Sequence, residues 1–166
     1  MIDPSEISAA ASRKESENLR FRAFLMNNAD PDLLDKQFLE LHNELFTGYD
    51  CRKCNNCCRA YNAVVQEDEI DSIAAFLGLT GQDFSEKYLV QTIEGFEIKA
   101  PCCFLNANGE CLIQECKPAE CRDFPYTDKP DRISSLLGVV SFAEVCPVVF
   151  EIVERLKKAY RFKTRR

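Results

Sequence analysis

The sequence contains a single histidine, His42, so the ordinary Cys₂His₂ zinc finger, which needs a histidine pair, is excluded. No stretch approaches the roughly eighteen consecutive apolar residues of a membrane span. The opening Met1-Ile2-Asp3-Pro4-Ser5-Glu6 has neither the basic region nor the apolar region of a secretory signal. Without export, the expected compartment is cytoplasmic and reducing. Neither an internal repeat nor a low-complexity linker interrupts the 166 residues, and 46% hydrophobic content is enough for a real core.

Against these absences stand ten cysteines, far above ordinary usage. Four fall within eight residues, Cys51-Arg52-Lys53-Cys54-Asn55-Asn56-Cys57-Cys58, and the others are Cys102, Cys103, Cys111, Cys116, Cys121 and Cys146. So tight a run leaves neighbouring sulfurs badly placed to pair as disulfides. Thiolates at C-x-x-C spacing instead turn onto one metal ion, and in a reducing compartment metal is the better account. Two chemistries compete. Eight cysteines would suit two closed four-thiolate zinc sites. Iron–sulfur clusters, such as a [4Fe–4S] centre, also take four thiolates, and Cys51, Cys54 and Cys57 match the C-x₂-C-x₂-C ferredoxin triplet, with Cys146-Pro147 as a remote Cys-Pro. Adjacent Cys57 and Cys58, diverging on an extended backbone, would be divided between neighbouring sites. Arg52, Lys53, Arg59, Lys117 and Arg122 flank the cysteines and would offset thiolate charge. Arg122 is expected to point inward, binding carbonyls of the Cys51–Cys58 loop through its guanidinium fork.

The rest reads as scaffold. Asp3-Pro4 and Asp30-Pro31 each pair an N-cap with a proline at the first helical position, starting helices that run to about Met26 and about Thr47, the second closed by Gly48. Leu34, Phe38, Leu41 and Leu45 form the second helix's buried stripe, and His42 beside it reads as a packed structural histidine. Tyr61 to Val65 leans to strand. Glu67 to Leu77 is an amphipathic helix ended by Gly78, and Thr80 caps another through about Leu89. Phe96, Ile98 and Ala100 alternate as a half-buried strand. Asn108-Gly109 predicts a hairpin that places Cys102 and Cys111 at neighbouring ends of two paired strands. Lys117 to Pro125 is a turn, 128–131 a loop, and Pro147 to about Arg161 a last helix with Cys146 at its N-terminus. The fold class expected is α+β and mainly helical, short helices and a small β-hairpin around a cysteine-ligated metal cluster. The expected domains are an N-terminal helical segment, 1–49, and a cysteine-cluster domain, 50–166. The net charge of −6 divides into +6 for residues Val153–Arg166 and −12 for the remainder. The basic end reads as a solvated tail complementing a helix dipole, and the acidic body disfavours nucleic acid.

Cys51-x-x-Cys54-x-x-Cys57-Cys58, Cys102-Cys103-Phe104-Leu105, Gly109-Glu110-Cys111-Leu112-Ile113 and Lys117-Pro118-Ala119-Glu120-Cys121-Arg122-Asp123-Phe124-Pro125 together resemble the CxxCxxCC (YkgJ-type) cysteine-cluster family of zinc- or iron-chelating proteins. The resemblance covers about Cys51 to Pro147 and implies eight metal ligands: Cys51, Cys54, Cys57, Cys58, Cys102, Cys111, Cys121 and Cys146. Cys103 stands where the family has proline and Cys116 where it has an apolar residue, so both read as extra thiols. Lys117 and Gln114 also depart from the family pattern. The resemblance implies metal ions as the partner, with a structural, redox or metal-sensing role. A second reading is an iron–sulfur enzyme or electron carrier acting with a protein partner, since related clusters resemble part of flagellin lysine methylases. The lack of a Gly-rich nucleotide loop argues against a complete methyltransferase. A zinc-type nucleic-acid module is a weaker third.

Overall fold

The computed structural model describes residues 1–163. A 3₁₀ turn, Pro4–Glu6, leads into α1, Ile7–Asn28, followed by α2, Pro31–Phe46. The cysteine run forms two short helical turns, α3, Cys51–Cys54, and α4, Asn56–Ala60. Then come β1, Ala63–Val65; α5, Glu67–Phe76; α6, Gly81–Tyr88; β2, Val90–Thr92; and β3, Gly95–Ile98. The chain ends with α7, Ala119–Asp123; α8, Arg132–Phe142; and α9, Pro147–Ala159. Mainly helical α+β is the class observed. Among the described residues no helix is long and apolar enough to cross a membrane.

Two compact units divide the chain, 1–50 with 125–166, and 51–124. Residues from Pro125 onward group with the N-terminal helices. In the first unit α1, α2, α8 and α9 pack on one another. Phe21 and Leu25 of α1, Leu34 and Phe38 of α2, Leu136 and Val139 of α8, and Ile152, Val153 and Leu156 of α9 are buried. The Asp-Pro devices work as read. The Asp3 carboxylate accepts from Ser5 N at 2.8 Å and Asp30 from Leu33 N at 2.9 Å. His42 is structural, its Nδ1 2.8 Å from Thr127 Oγ1 and its ring 4.5 Å from Phe46, and burial lowers its pKa.

Two features of this unit differ from the sequence reading. α8 is an additional helix. Its N-terminus has no side-chain cap of its own; the Asp35 carboxylate of α2 accepts from Asp131 N at 2.7 Å and Arg132 N at 2.8 Å instead. Lys157, in the basic C-terminal stretch, is a core residue 5% exposed and not part of a solvated tail. Its ammonium donates to Glu17 Oε1, Asn18 Oδ1 and Glu154 Oε1 at 2.7, 2.6 and 2.7 Å, tying α9 to α1. Residues 164–166 of that stretch lie outside the described residues.

In the second unit β1, β3 and β2 form an antiparallel sheet in that order, with Ala63 opposite Ile98 and Thr92 opposite Gly95. Val65, Ile70, Ile73, Ala74, Phe84, Ile98, Phe104 and Ile113 make its core. The capping box at α5 uses Gln66 and Glu69, with Gln66 N donating to Glu69 Oε2 at 3.0 Å. Thr80 caps α6 by accepting from Asp83 N at 3.1 Å. β2 is an additional strand, joined to β3 by the two residues Ile93 and Glu94.

Candidate metal centre

Nine of the ten cysteines belong to the second unit, and Cys146 to the first. Cys51 and Cys54 begin and end α3, a spacing that puts both on one face of a helical turn. Asn55 then takes a left-handed conformation, φ +52°, and its N–H donates to Cys51 O at 2.9 Å. Cys57 and Cys58 follow in α4, so they are helical neighbours and not the extended pair expected. The Cys54 carbonyl accepts from Arg59 Nη1 at 3.3 Å.

The backbone ties this run to the next cysteine segment, for Cys102 N donates to Cys58 O at 2.7 Å. The Asn108-Gly109 signal does mark a chain reversal, but a tighter one than two paired strands. A single bridge joins Leu105 and Cys111, with Leu112 N on Phe104 O at 2.8 Å and Asn106 N on Glu110 O at 2.9 Å. The turn spans Asn106 to Gly109, where the Asn106 side chain accepts from Asn108 N and Glu110 N, both at 2.9 Å. Pairing therefore stops short of Cys102. Its free N–H reaches the cysteine run instead. Cys102, Cys111 and Cys116 all pack against the unit's apolar core.

Cys121 sits mid-way along α7, its N–H on Pro118 O at 3.0 Å. That helix is held from two sides. The Glu69 carboxylate accepts from Ala119 N at 2.7 Å, and Tyr61 O–H donates to Glu120 Oε1 at 2.5 Å while its ring lies 4.9 Å from Phe124. Arg122 does not turn towards the Cys51–Cys58 loop. Its side chain is 55% exposed and 3.9 Å from Glu69 Oε1, and Nη1 donates to Lys117 O at 2.7 Å. It closes its own loop, because the short α7 already directs residue 122 outward.

The thiols influence one another across these segments. Hydrogen bonding from Cys57 is the main cause that holds Cys58 down to about 6; Lys117 and Arg59 add to it, and burial opposes it. Burial pushes Cys102 up to about 11, with repulsion from Cys103, Cys58 and Cys111. Cys121 keeps an exposed residue surface, yet burial of its thiol, then Cys102, Cys58 and Cys111, push it up to about 12. Cys58, Cys102, Cys111 and Cys121, from four separate segments, thus lie within electrostatic reach of each other. Soft sulfur donors of this kind suit zinc and iron. Among the described residues no three or more Cys, His, Asp or Glu side chains are arranged to hold a metal ion.

Cys103 is exposed, and burial raises both Cys103 and Cys116. Cys146 is buried at the N-terminus of α9, its N–H on Phe142 O at 2.8 Å. Sequence reasoning missed Asn55, Glu69 and the Tyr61–Glu120 pair. Only Glu69 carried a signal, as the third residue of α5, three positions after the N-cap Gln66.

A family model described as "CxxCxxCC: Putative zinc- or iron-chelating domain" matches residues 50–147, more than half of the 166-residue chain. No curated protein and no solved structure matches it.

Proposed function

Because the chain belongs to the CxxCxxCC family of zinc- or iron-chelating domains, we propose that it chelates zinc or iron through cysteine thiolates, with Cys58, Cys102, Cys111 and Cys121, which are not arranged around a metal position in this structure, closing into one four-sulfur set as the metal binds. The observation that carries this reading is the hydrogen bond from Cys102 N to Cys58 O at 2.7 Å, which joins the cysteine run to the hairpin that bears Cys111. Cys121 comes from α7, whose position Glu69 and Tyr61 fix. Cys51, Cys54 and Cys57 supply a second group, the C-x₂-C-x₂-C triplet.

The division of thiol acidity suits metal capture. Cys58 offers a thiolate at neutral pH, whereas Cys102 and Cys121 hold their protons until they ligate. Lys117, on the loop before α7, and Arg59 supply positive charge near Cys58. Arg122 contributes by closing the Lys117–Arg122 loop that carries Cys121, an indirect role in place of direct contact with the cysteine run.

The test is metal and acid-labile sulfide analysis of anaerobically purified protein. Cys58→Ser and Cys121→Ser should each lose bound metal, while Cys103→Ala with Cys116→Ala should keep it. A brown preparation with sulfide identifies iron–sulfur chemistry; a colourless one with zinc identifies a zinc site. A wild type free of zinc and iron, or serine variants that retain the full metal content, would overturn the reading.

A further inference from the structure

Asn55 separates the two helical turns of the cysteine run. It is 6% exposed and stands at φ +52° and ψ +14°, a left-handed conformation that asparagine tolerates better than most residues. Its side-chain Nδ2 donates to the Arg52 carbonyl, satisfying one of the acceptors that so short a helix as α3 leaves unpaired.

The hairpin meets this corner at Gly109. A Cβ placed on Gly109 would lie 2.5 Å from Asn55 Nδ2, 3.3 Å from Arg52 O and 3.7 Å from Asn55 Cγ. Gly109 also has φ +83°, where a side chain is disfavoured in any surroundings. Glycine is needed here twice over, for the backbone turn and for the approach to Asn55.

We infer that Asn55 and Gly109 form a latch that seats the 51–58 cysteine run on the 106–110 turn and thereby governs how firmly the cysteine set retains its metal. This rests on the chelating reading above. Neither residue is a ligand; both are positioning residues. Asn55 keeps the α3–α4 corner closed by bonding the Arg52 carbonyl, and Gly109 lets the hairpin approach without displacing that bond. The corner lies between Cys54 and Cys57, and the hairpin carries Cys111 two residues beyond Gly109, so loosening the latch shifts thiols on both sides.

The experiment compares Gly109→Ala, Asn55→Gly, the double variant and a control, Gly78→Ala. Gly78 has a similar φ, +71°, and nothing within 4 Å of its Cβ position, so it carries the backbone strain without the contact. Asn55→Gly preserves the left-handed backbone and removes only the side chain. Release of bound zinc or iron to a chelator should be about 10- to 100-fold faster in Gly109→Ala and in Asn55→Gly than in wild type, the range typical of lost ligand support. Gly78→Ala should release at the wild-type rate. In the double variant the alanine should add less to the effect of Asn55→Gly than it does in wild type, because its closest contact, Asn55 Nδ2, is gone and only the Arg52 carbonyl at 3.3 Å remains.

A second readout needs no metal. In reduced, metal-free protein, iodoacetamide should label Cys54 and Cys57 faster in the two latch variants than in wild type or Gly78→Ala. Equal behaviour of Gly109→Ala and Gly78→Ala in both assays would overturn the latch. So would an undiminished effect of the alanine in the Asn55→Gly background. A wild type without metal removes the chelating reading, and the labelling comparison then decides the latch by itself.

Discussion

In reduced, metal-free protein the thiols should differ sharply in reactivity at neutral pH. Cys58, held at about 6, is roughly nine-tenths thiolate there, whereas Cys102, at about 11, is thiolate in about one molecule in ten thousand. The population ratio is thus about 10⁴. Nucleophilicity runs the other way, falling with thiol pKa at a slope of about 0.4–0.5, which over the separation of about five pH units returns roughly 10² to 10²·⁵. Cys58 should therefore be alkylated about 30- to 100-fold faster than Cys102. Cys121, at about 12, should be slower still. The assay is limiting iodoacetamide, an acid quench and peptide mapping by mass spectrometry across a pH series. Cys57→Ala withdraws the hydrogen bond that dominates the Cys58 shift, so the labelling midpoint should climb from about 6 towards the ordinary thiol value of 9.0. Equal labelling of Cys58 and Cys102, or a midpoint unmoved by Cys57→Ala, would refute the reasoning.

The same thiols fix a pH dependence of stability. Cys102 and Cys121 bind protons more tightly folded than unfolded, so they should lower the urea midpoint of metal-free protein as pH rises from about 9 towards 11 and 12. Cys58 has the opposite sign and should raise the midpoint between about 6 and 9. A profile flat through both windows would contradict these assignments. Lys157→Met leaves Glu17, Asn18 and Glu154 without their shared donor and should cost about 3 kcal/mol, the low end for a broken buried pair because Lys14 still binds Glu154. A loss below about 1 kcal/mol by urea titration would show that the clamp is dispensable. Phe84, fully buried with its ring 6.2 Å from Phe104 and 5.6 Å from Tyr88, should cost about 3–5 kcal/mol as Phe84→Ala. The loss should appear in the urea unfolding of residues 51–124, followed by hydrogen exchange.

What could be read from the sequence was what is encoded locally. The Asp-Pro starts of the first two helices, the acidic first turn and closing Gly78 of α5, and the Thr80 cap all lie within a few residues of the turns they satisfy, and those helices were visible. α8 was not, because its cap comes from Asp35, 96 residues before Asp131. Its first neighbour, Asp131, stands at φ +62° with no side-chain cap. β2 is three residues long and turns through Ile93 and Glu94, too short for alternation to register. Residues 125–166 group with the N-terminal helices through contacts such as Lys157 to Glu17, which no local pattern announces. At the candidate site the cysteine spacing was legible, since ligand spacing is a property of the chain. Arg122 was misjudged because its flanking position says nothing about the face of α7 it occupies. Asn55 was overlooked because one asparagine in a polar run carries no mark of burial.

The most direct test of thiolate chelation is X-ray absorption at the zinc or iron edge of the metal-bound protein. A zinc-loaded chain should show a shell of sulfur scatterers at about 2.3 Å with a coordination number near four, and an iron-loaded chain a sulfur-dominated shell as well. Cys58→Ser and Cys121→Ser should each reduce the sulfur count. A first shell dominated by oxygen or nitrogen, unchanged in both serine variants, would contradict the account.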